Sequence, residues 1–206
     1  MIEFRPNPAI TIGLVGGVAS GKSTVAGLLA DRGLVRLDAD AEARAVTATP
    51  AVLERIVERF GSGVLDANGR LDRAALAAIV FDDRERLHEL ESIVHPAVRR
   101  ALHSGIREAH ARGDSVVLDV PLLLEGSLAE ECEVCIFLEV DDATRAERAR
   151  GRGWDDGELA RREANQMSLQ CKKAKCAYTV DTSGSLSSTV RQVDEILARI
   201  ASSSGS

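Results

Sequence analysis

The sequence predicts an α/β fold: a parallel sheet flanked by helices, with a helical insert set into the chain. Three observations predict it. Short apolar strands alternate with helix-period segments toward both ends. A glycine-rich stretch, "GLVGGVASGKST", joins the first strand to the first helix. Residues 41–112 carry helical periodicity almost throughout, which is too long for a single crossover.

The elements follow in order. Ile10 to Val15 is an apolar strand. Lys22 to Arg32 is a helix, with Val25, Leu28 and Leu29 on one face and Gly33 as the stop. "LVRLDAD", Leu34 to Asp40, is a second strand ending in acids. In the insert, Val52, Leu53, Ile56, Val57 and Phe60 repeat at helical spacing, and "FGSG" and "NG" break the chain. Asp72 caps a helix carrying Leu76, Ile79 and Val80. Leu87, Leu90 and Ile93 mark another helix, closed by His95-Pro96. Val98, Leu102, Ile106 and Ala109 mark the last, stopped by Gly113. Strands then return as "SVVLDVP", ended by Pro121, and "VCIFLEV". "DDATRAERARGRG" is a helix with a dense arginine face, and Glu158 to Lys175 is another helix. "AYTV" is a short strand, Val190 to Ile200 a closing helix, and residues 201–206 a disordered tail. The expected organisation is a core of residues 1–40 and 113–200, an insert at 41–112, and an Arg-rich lid at 141–165.

Composition narrows the class. With 45% hydrophobic, 28% charged and only 3% aromatic residues, the 206-residue chain builds an aliphatic globular core. A net charge of -6 speaks against a nucleic-acid partner. No apolar run approaches the roughly 20 residues that span a bilayer. Ala9 to Val18 is apolar apart from Thr11, but "MIEFRPNP" before it offsets its Arg with Glu3 and carries two prolines, unlike a secretory leader. A cytoplasmic monomer with no membrane or nucleic-acid partner is expected. The four cysteines are Cys132, Cys135, Cys171 and Cys176. "CEVC" has a spacing that zinc sites use, yet "CEVCIFLEV" reads as a strand, where positions three apart face opposite sides. Buried free thiols are expected.

Gly16-x-x-x-x-Gly21-Lys22-Ser23 fits GxxxxGK[ST] in full, with a strand before it and a helix after it. Gly16, Gly17, Val18, Ala19, Ser20, Gly21, Lys22, Ser23 and Thr24 therefore form a phosphate-binding loop. Glycines let backbone N–H groups turn inward, and the helix adds its N-terminal dipole. Lys22 reaches the β- and γ-phosphates, and the Ser23 hydroxyl takes Mg²⁺. The motif makes the fold a P-loop NTPase three-layer fold. Ala19 stands where glycine would be welcome, and its methyl is tolerable if the backbone there needs no positive φ. Ligands of such sheets sit at the carboxyl ends of strands, which selects Asp38, Asp40 and Asp119. Asp38 reads equally as a helix cap. Asp119 follows an apolar run and suits Mg²⁺ or its waters.

Absences thin the possibilities. No Asn-Lys pair occurs for an NKxD guanine motif, and Asp119 is followed by "VPL" rather than DxxG. A small-molecule kinase remains, and at this point the chain resembles the dephospho-coenzyme A kinase family. The carrying segments are "IGLVGGVASGKSTVA", "LDAD", "FGSGVLDANGRLDRAAL", "IVFDD", "LESIVHP", "VPLLLEGS" and the arginine stretch with Gln166 after it, in family order over about residues 10–182. The resemblance implies ATP-dependent phosphorylation of the ribose 3′-hydroxyl of dephospho-coenzyme A. It places Asp40 as the catalytic base or hydroxyl-orienting group, and Arg148 and Arg152 as lid arginines on phosphate. It assigns Arg73, His95, Pro121 and Glu125 to the acceptor side. The chain departs from the family's pattern at Ala19, Arg145, Ala177 and Thr182, the last two lying in the segment near the adenine. Another P-loop small-molecule or nucleotide kinase, and a noncatalytic ATP-binding module, are the competing readings.

Overall fold

Short strands and helices alternate through the computed structural model, which describes residues 4–81, 83–151, 153, 157 and 166–203. They form two compact units, Met1–Leu37 with Ile106–Ser206, and Asp38–Gly105. In the first, β1 (Thr11–Gly16) is buried along its whole length. It pairs in parallel with β3 (Val116–Asp119) on one side and β4 (Val134–Glu139) on the other. Among the described residues the sheet has five strands in the order β2-β3-β1-β4-β5, where β2 is Val35–Asp38 and β5 is Tyr178–Asp181. A central strand covered on both faces is nearly all apolar, which "TIGLVG" supplies apart from Thr11, whose buried hydroxyl lies 3.1 Å from His110 Nε2. Helices α1 (Lys22–Ala30) and α8 (Leu186–Ser203) pack on the sheet. Val25, Leu29, Val193, Ile196 and Ile200 share one core with Ile12, Leu14 and Ile136.

The second unit holds α2 (Ala39–Val46), α3 (Pro50–Phe60), α4 (Arg73–Val80) and most of α5 (Arg84–Ala111). Its own core gathers Val52, Ile56, Val64, Leu76, Val80 and Ile93. Local signals fix the helix starts. Asp38, Asp72 and Asp83 each accept two backbone N–H bonds at a first turn. Pro50 stands at the first position of α3, where its missing N–H costs nothing.

Several expectations need correction. "LVRLDAD" is a strand only to Asp38, and Asp38 is the cap of α2, so Asp40 sits in the first helical turn. His95-Pro96 does not close a helix, because α5 runs through Pro96 for 28 residues. Proline removes one i→i−4 bond, and a helix with this many remaining bonds absorbs the loss. The helix expected at 158–175 is α7, Leu169–Ala174, and residues 158–165 lie outside those described. The closing helix extends through Ser203, with the Ser202 and Ser203 hydroxyls donating back to the Ala198 and Arg199 carbonyls. Cys132 and Cys135 do not point apart. Cys132 precedes β4, at the end of a 3-10 turn (Ser127–Glu131), and so is free of the strand's alternation.

Candidate active site

The loop between β1 and α1 is shaped by contacts that only certain residues permit. A Cβ at Gly16 would lie 2.5 Å from Ser20 Oγ and 3.2 Å from the Leu138 carbonyl, so glycine is required there. Gly21 caps α1 in the left-handed region, at φ 84. Ala19 is left-handed as well, at φ 61, against the expectation that its backbone needs no positive φ. No side chain caps α1 among the described residues, which leaves its N-terminal dipole directed at the loop. Ser23 and Thr24 are exposed on that first turn. Lys22 Nζ reaches the Gly17 carbonyl at 3.4 Å, folded over the loop it serves. The Ser20 hydroxyl is buried without a hydrogen-bond partner among the described residues.

Arg148 comes from α6 (Asp142–Arg150), whose start is capped by Asp141. Its guanidinium donates to the Ala19 carbonyl at 3.4 Å, to Thr182 Oγ1 at 3.4 Å and to the Thr182 carbonyl at 2.6 Å. Thr182 follows β5 and is 5% exposed. Its hydroxyl lies 2.9 Å from the Ser20 carbonyl and 3.1 Å from the Glu139 carbonyl, and its N–H donates to that Glu139 carbonyl at 2.8 Å. One threonine thus ties the loop, the end of β4 and Arg148 together. Beside it opens a pocket of about 470 Å³, lined by Gly21, Thr24, Arg148, Thr182, Leu186 and Thr189 among others. The sequence reading put Thr182 in the segment near the adenine without giving it a role, and missed Leu186 and Thr189. The signal for them is the "DTSGS" turn after β5, at the carboxyl edge of the sheet.

The other expected residues are placed as follows. Asp119 is buried, and its Oδ2 accepts from Arg36 Nη2 at 2.6 Å. Hydroxyl and carboxylate oxygens, from Ser23 and Asp119, are the hard donors that Mg²⁺ takes. Asp40 is exposed, and its carboxylate makes no hydrogen bond among the described residues. Arg73 spends its Nη2 on the Arg44 carbonyl at 3.0 Å and Thr47 Oγ1 at 2.9 Å, finishing α2. His95 is exposed at mid-helix in α5. Pro121 is exposed, followed by Leu122 in the left-handed region at φ 56. Glu125 pairs with Lys172 at 3.1 Å and accepts the Met167 N–H at 3.0 Å. Lys172 is only 2% exposed, and it also donates to Gln166 Oε1 at 2.8 Å. Arg152 lies outside the described residues.

Comparisons with known proteins converge on one family. A family profile described as dephospho-CoA kinase matches residues 10–188. The dephospho-CoA kinase of Deinococcus radiodurans is 42% identical over 191 residues, covering 92% of this chain and 91% of that protein. A crystal structure of a Thermus thermophilus protein superposes with a TM-score of 0.73 at 36% identity, covering 93% of this chain and 98% of that one. Dephospho-CoA kinase from Campylobacter jejuni shares the fold, with a TM-score of 0.72 at 19% identity over 94% of this chain and 98% of that one.

Proposed function

Since the chain belongs to the dephospho-CoA kinase family and transfers a phosphoryl group from ATP to dephospho-coenzyme A, we propose how its own residues divide that work. The observation that carries the reading is the loop itself. An intact GxxxxGKS turn leads into an α1 that no side chain caps among the described residues, and Arg148 is held against it. Phosphoryl transfer relies on positioning and charge neutralisation more than on covalent chemistry. Loop N–H groups and Lys22 hold the β- and γ-phosphates, and Arg148 adds a planar fork suited to phosphate oxygens. Arg152 is assigned a second phosphate contact. Ser23 and Asp119 would hold Mg²⁺, which would supply neutralisation of phosphate charge when bound. Arg36 beside Asp119 fixes that carboxylate's orientation.

Asp40 orients the ribose 3′-hydroxyl of the acceptor and accepts its proton. In "DAD" the first acid is consumed by capping α2, which leaves the second for the acceptor. His95 and Pro121 are assigned to the acceptor side directly. Arg73 and Glu125 act through the segments they brace, given the contacts each already makes. No helix among the described residues is long and apolar enough to cross a membrane. We keep the reading of a cytoplasmic monomer, and the net charge of -6 supports the reading that no nucleic acid is a partner. Label transfer from γ-labelled ATP, offered dephospho-coenzyme A beside a panel of nucleoside monophosphates, tests the reading. Transfer to dephospho-coenzyme A is expected, and transfer to the nucleotides alone would overturn it.

A further inference from the structure

A second chemical feature lies away from the phosphate loop, where three thiols gather beside β1. Gly13 of β1 pairs with Cys135 of β4. A Cβ built on Gly13 would meet Cys132 Sγ at 2.8 Å, Cys135 Sγ at 3.3 Å and Leu123 Cδ2 at 2.5 Å. Both sulfurs therefore converge on one notch that exists because residue 13 has no side chain. Cys176 sits next to this pair, since the N–H of the following Ala177 donates to the Cys135 carbonyl at 3.0 Å. Its own thiol is directed elsewhere, to the Lys172 carbonyl at 3.2 Å. Cys132 and Cys135 are both half-buried, neither sealed nor freely exposed, whereas Cys171 is exposed. Among the described residues no group of three or more His, Cys, Asp or Glu side chains is arranged to hold a metal ion.

We propose that Cys132 and Cys135 form a redox-active dithiol, oxidised to an intramolecular disulfide by small-molecule disulfides. Two thiols facing one notch have the proximity such a bond needs, and the three-residue spacing closes a small ring. The pair is also polarised. The neighbouring Cys132 thiol holds the Cys135 thiol below its ordinary value despite burial, while the Cys132 S–H is directed to the Leu128 carbonyl at 3.5 Å. The interaction with Cys135, then burial, pushes Cys132 up. Cys176 is pushed up to about 12 by burial and by the charge of Cys135. Cys135 is thus the attacking thiolate and Cys132 the resolving group. Cys135 sulfur attacks one sulfur of RSSR, forming Cys135–S–S–R and releasing RS⁻, which takes a proton. Cys132 then loses its proton, and its thiolate attacks the Cys135 sulfur and expels the second RS⁻. The dithiol gives up two electrons, RSSR takes them, and two RSH leave.

The test uses the full chain titrated with mixtures of reduced and oxidised glutathione. Free thiols are then alkylated and the peptides mapped by mass spectrometry without reduction. The expected result is a Cys132–Cys135 disulfide that accumulates as the mixture becomes oxidising, while Cys176 stays alkylatable. In Cys132→Ser, glutathione should remain attached at Cys135, because no resolving thiol is left. In Cys135→Ser, Cys132 should stay unmodified. Full alkylation of both cysteines in a large excess of oxidised glutathione would overturn the proposal, as would a bond joining Cys135 to Cys176. The wild-type map decides the matter even if a serine variant fails to fold.

Discussion

Replacing Ala19 by glycine tests the backbone of the phosphate loop directly. Ala19 holds φ 61 with its methyl buried. The left-handed conformation costs an alanine about 1–2 kcal/mol that glycine does not incur. Glycine's extra freedom in the unfolded chain costs about 0.5–1 kcal/mol. Losing a buried methyl costs about 0.8 kcal/mol more. The balance runs from about 0.7 kcal/mol stabilising to about 0.8 kcal/mol destabilising. With an ordinary negative φ the same substitution would cost about 1.3–1.8 kcal/mol. The assay is urea denaturation followed by far-UV circular dichroism, wild type beside variant. At a slope of about 2 kcal/mol per molar, the left-handed loop predicts a midpoint change within about 0.4 M. A midpoint lowered by more than about 0.6 M at unchanged slope refutes the argument. Ala19→Val should be destabilising throughout, losing about 1–3 kcal/mol because a β-branched residue resists this region.

Other perturbations probe the remaining contacts. Asp40→Asn should strongly lower turnover and leave ATP binding nearly intact; near-normal turnover in a steady-state assay contradicts the role given to this carboxylate. Thr182→Val keeps the shape but removes the hydroxyl between the Ser20 and Glu139 carbonyls. It should cost about 1–3 kcal/mol in denaturation and weaken ATP binding measured by calorimetry. Glu125→Ala strands the buried Lys172 ammonium, and a loss of about 1.5–3 kcal/mol is expected; Lys172→Met made in that background should recover part of it. Asp194 is held below its usual value by the hydrogen bond from Arg32. A depressed carboxyl contributes stability above its unfolded value, near 3.9, that is lost as pH falls through the folded value. The urea midpoint gap between wild type and Asp194→Asn should therefore be present at pH 6 and shrink progressively below about pH 4; a gap that persists at low pH contradicts the linkage.

The sequence showed the phosphate loop most clearly, because strand, glycines, lysine and helix are contiguous and each has a separate physical reason. The alternation that predicts the parallel sheet was equally open, since buried strands announce themselves by unbroken apolar runs. What stayed hidden depends on geometry across long separations. Alanine disfavours the left-handed region, so the identity of Ala19 in "VASG" argues against the turn it makes. Asp38 and Asp40 look alike in sequence, and only the hydrogen bonds to Asp38 separate cap from candidate base. The pairing of Glu125 with Lys172 joins segments 47 residues apart with no periodicity to betray it. Pro96 is a strong local stop signal that a long, well-packed helix overrides.

Arg148 also bears on the thermodynamics of ligand capture. A flexible side chain of this length surrenders about 1.5–2 kcal/mol of rotamer entropy when it is fixed. Here contacts with Ala19 and Thr182 fix the guanidinium. That ordering cost has been met during folding rather than at the moment of binding. In the role proposed for Arg148, an arriving phosphate exchanges one set of acceptors for another, and little freedom is left to lose. The calorimetric signature of such a side chain is an exchange of enthalpies, with capture resembling a change of partner more than the freezing of a loose arm.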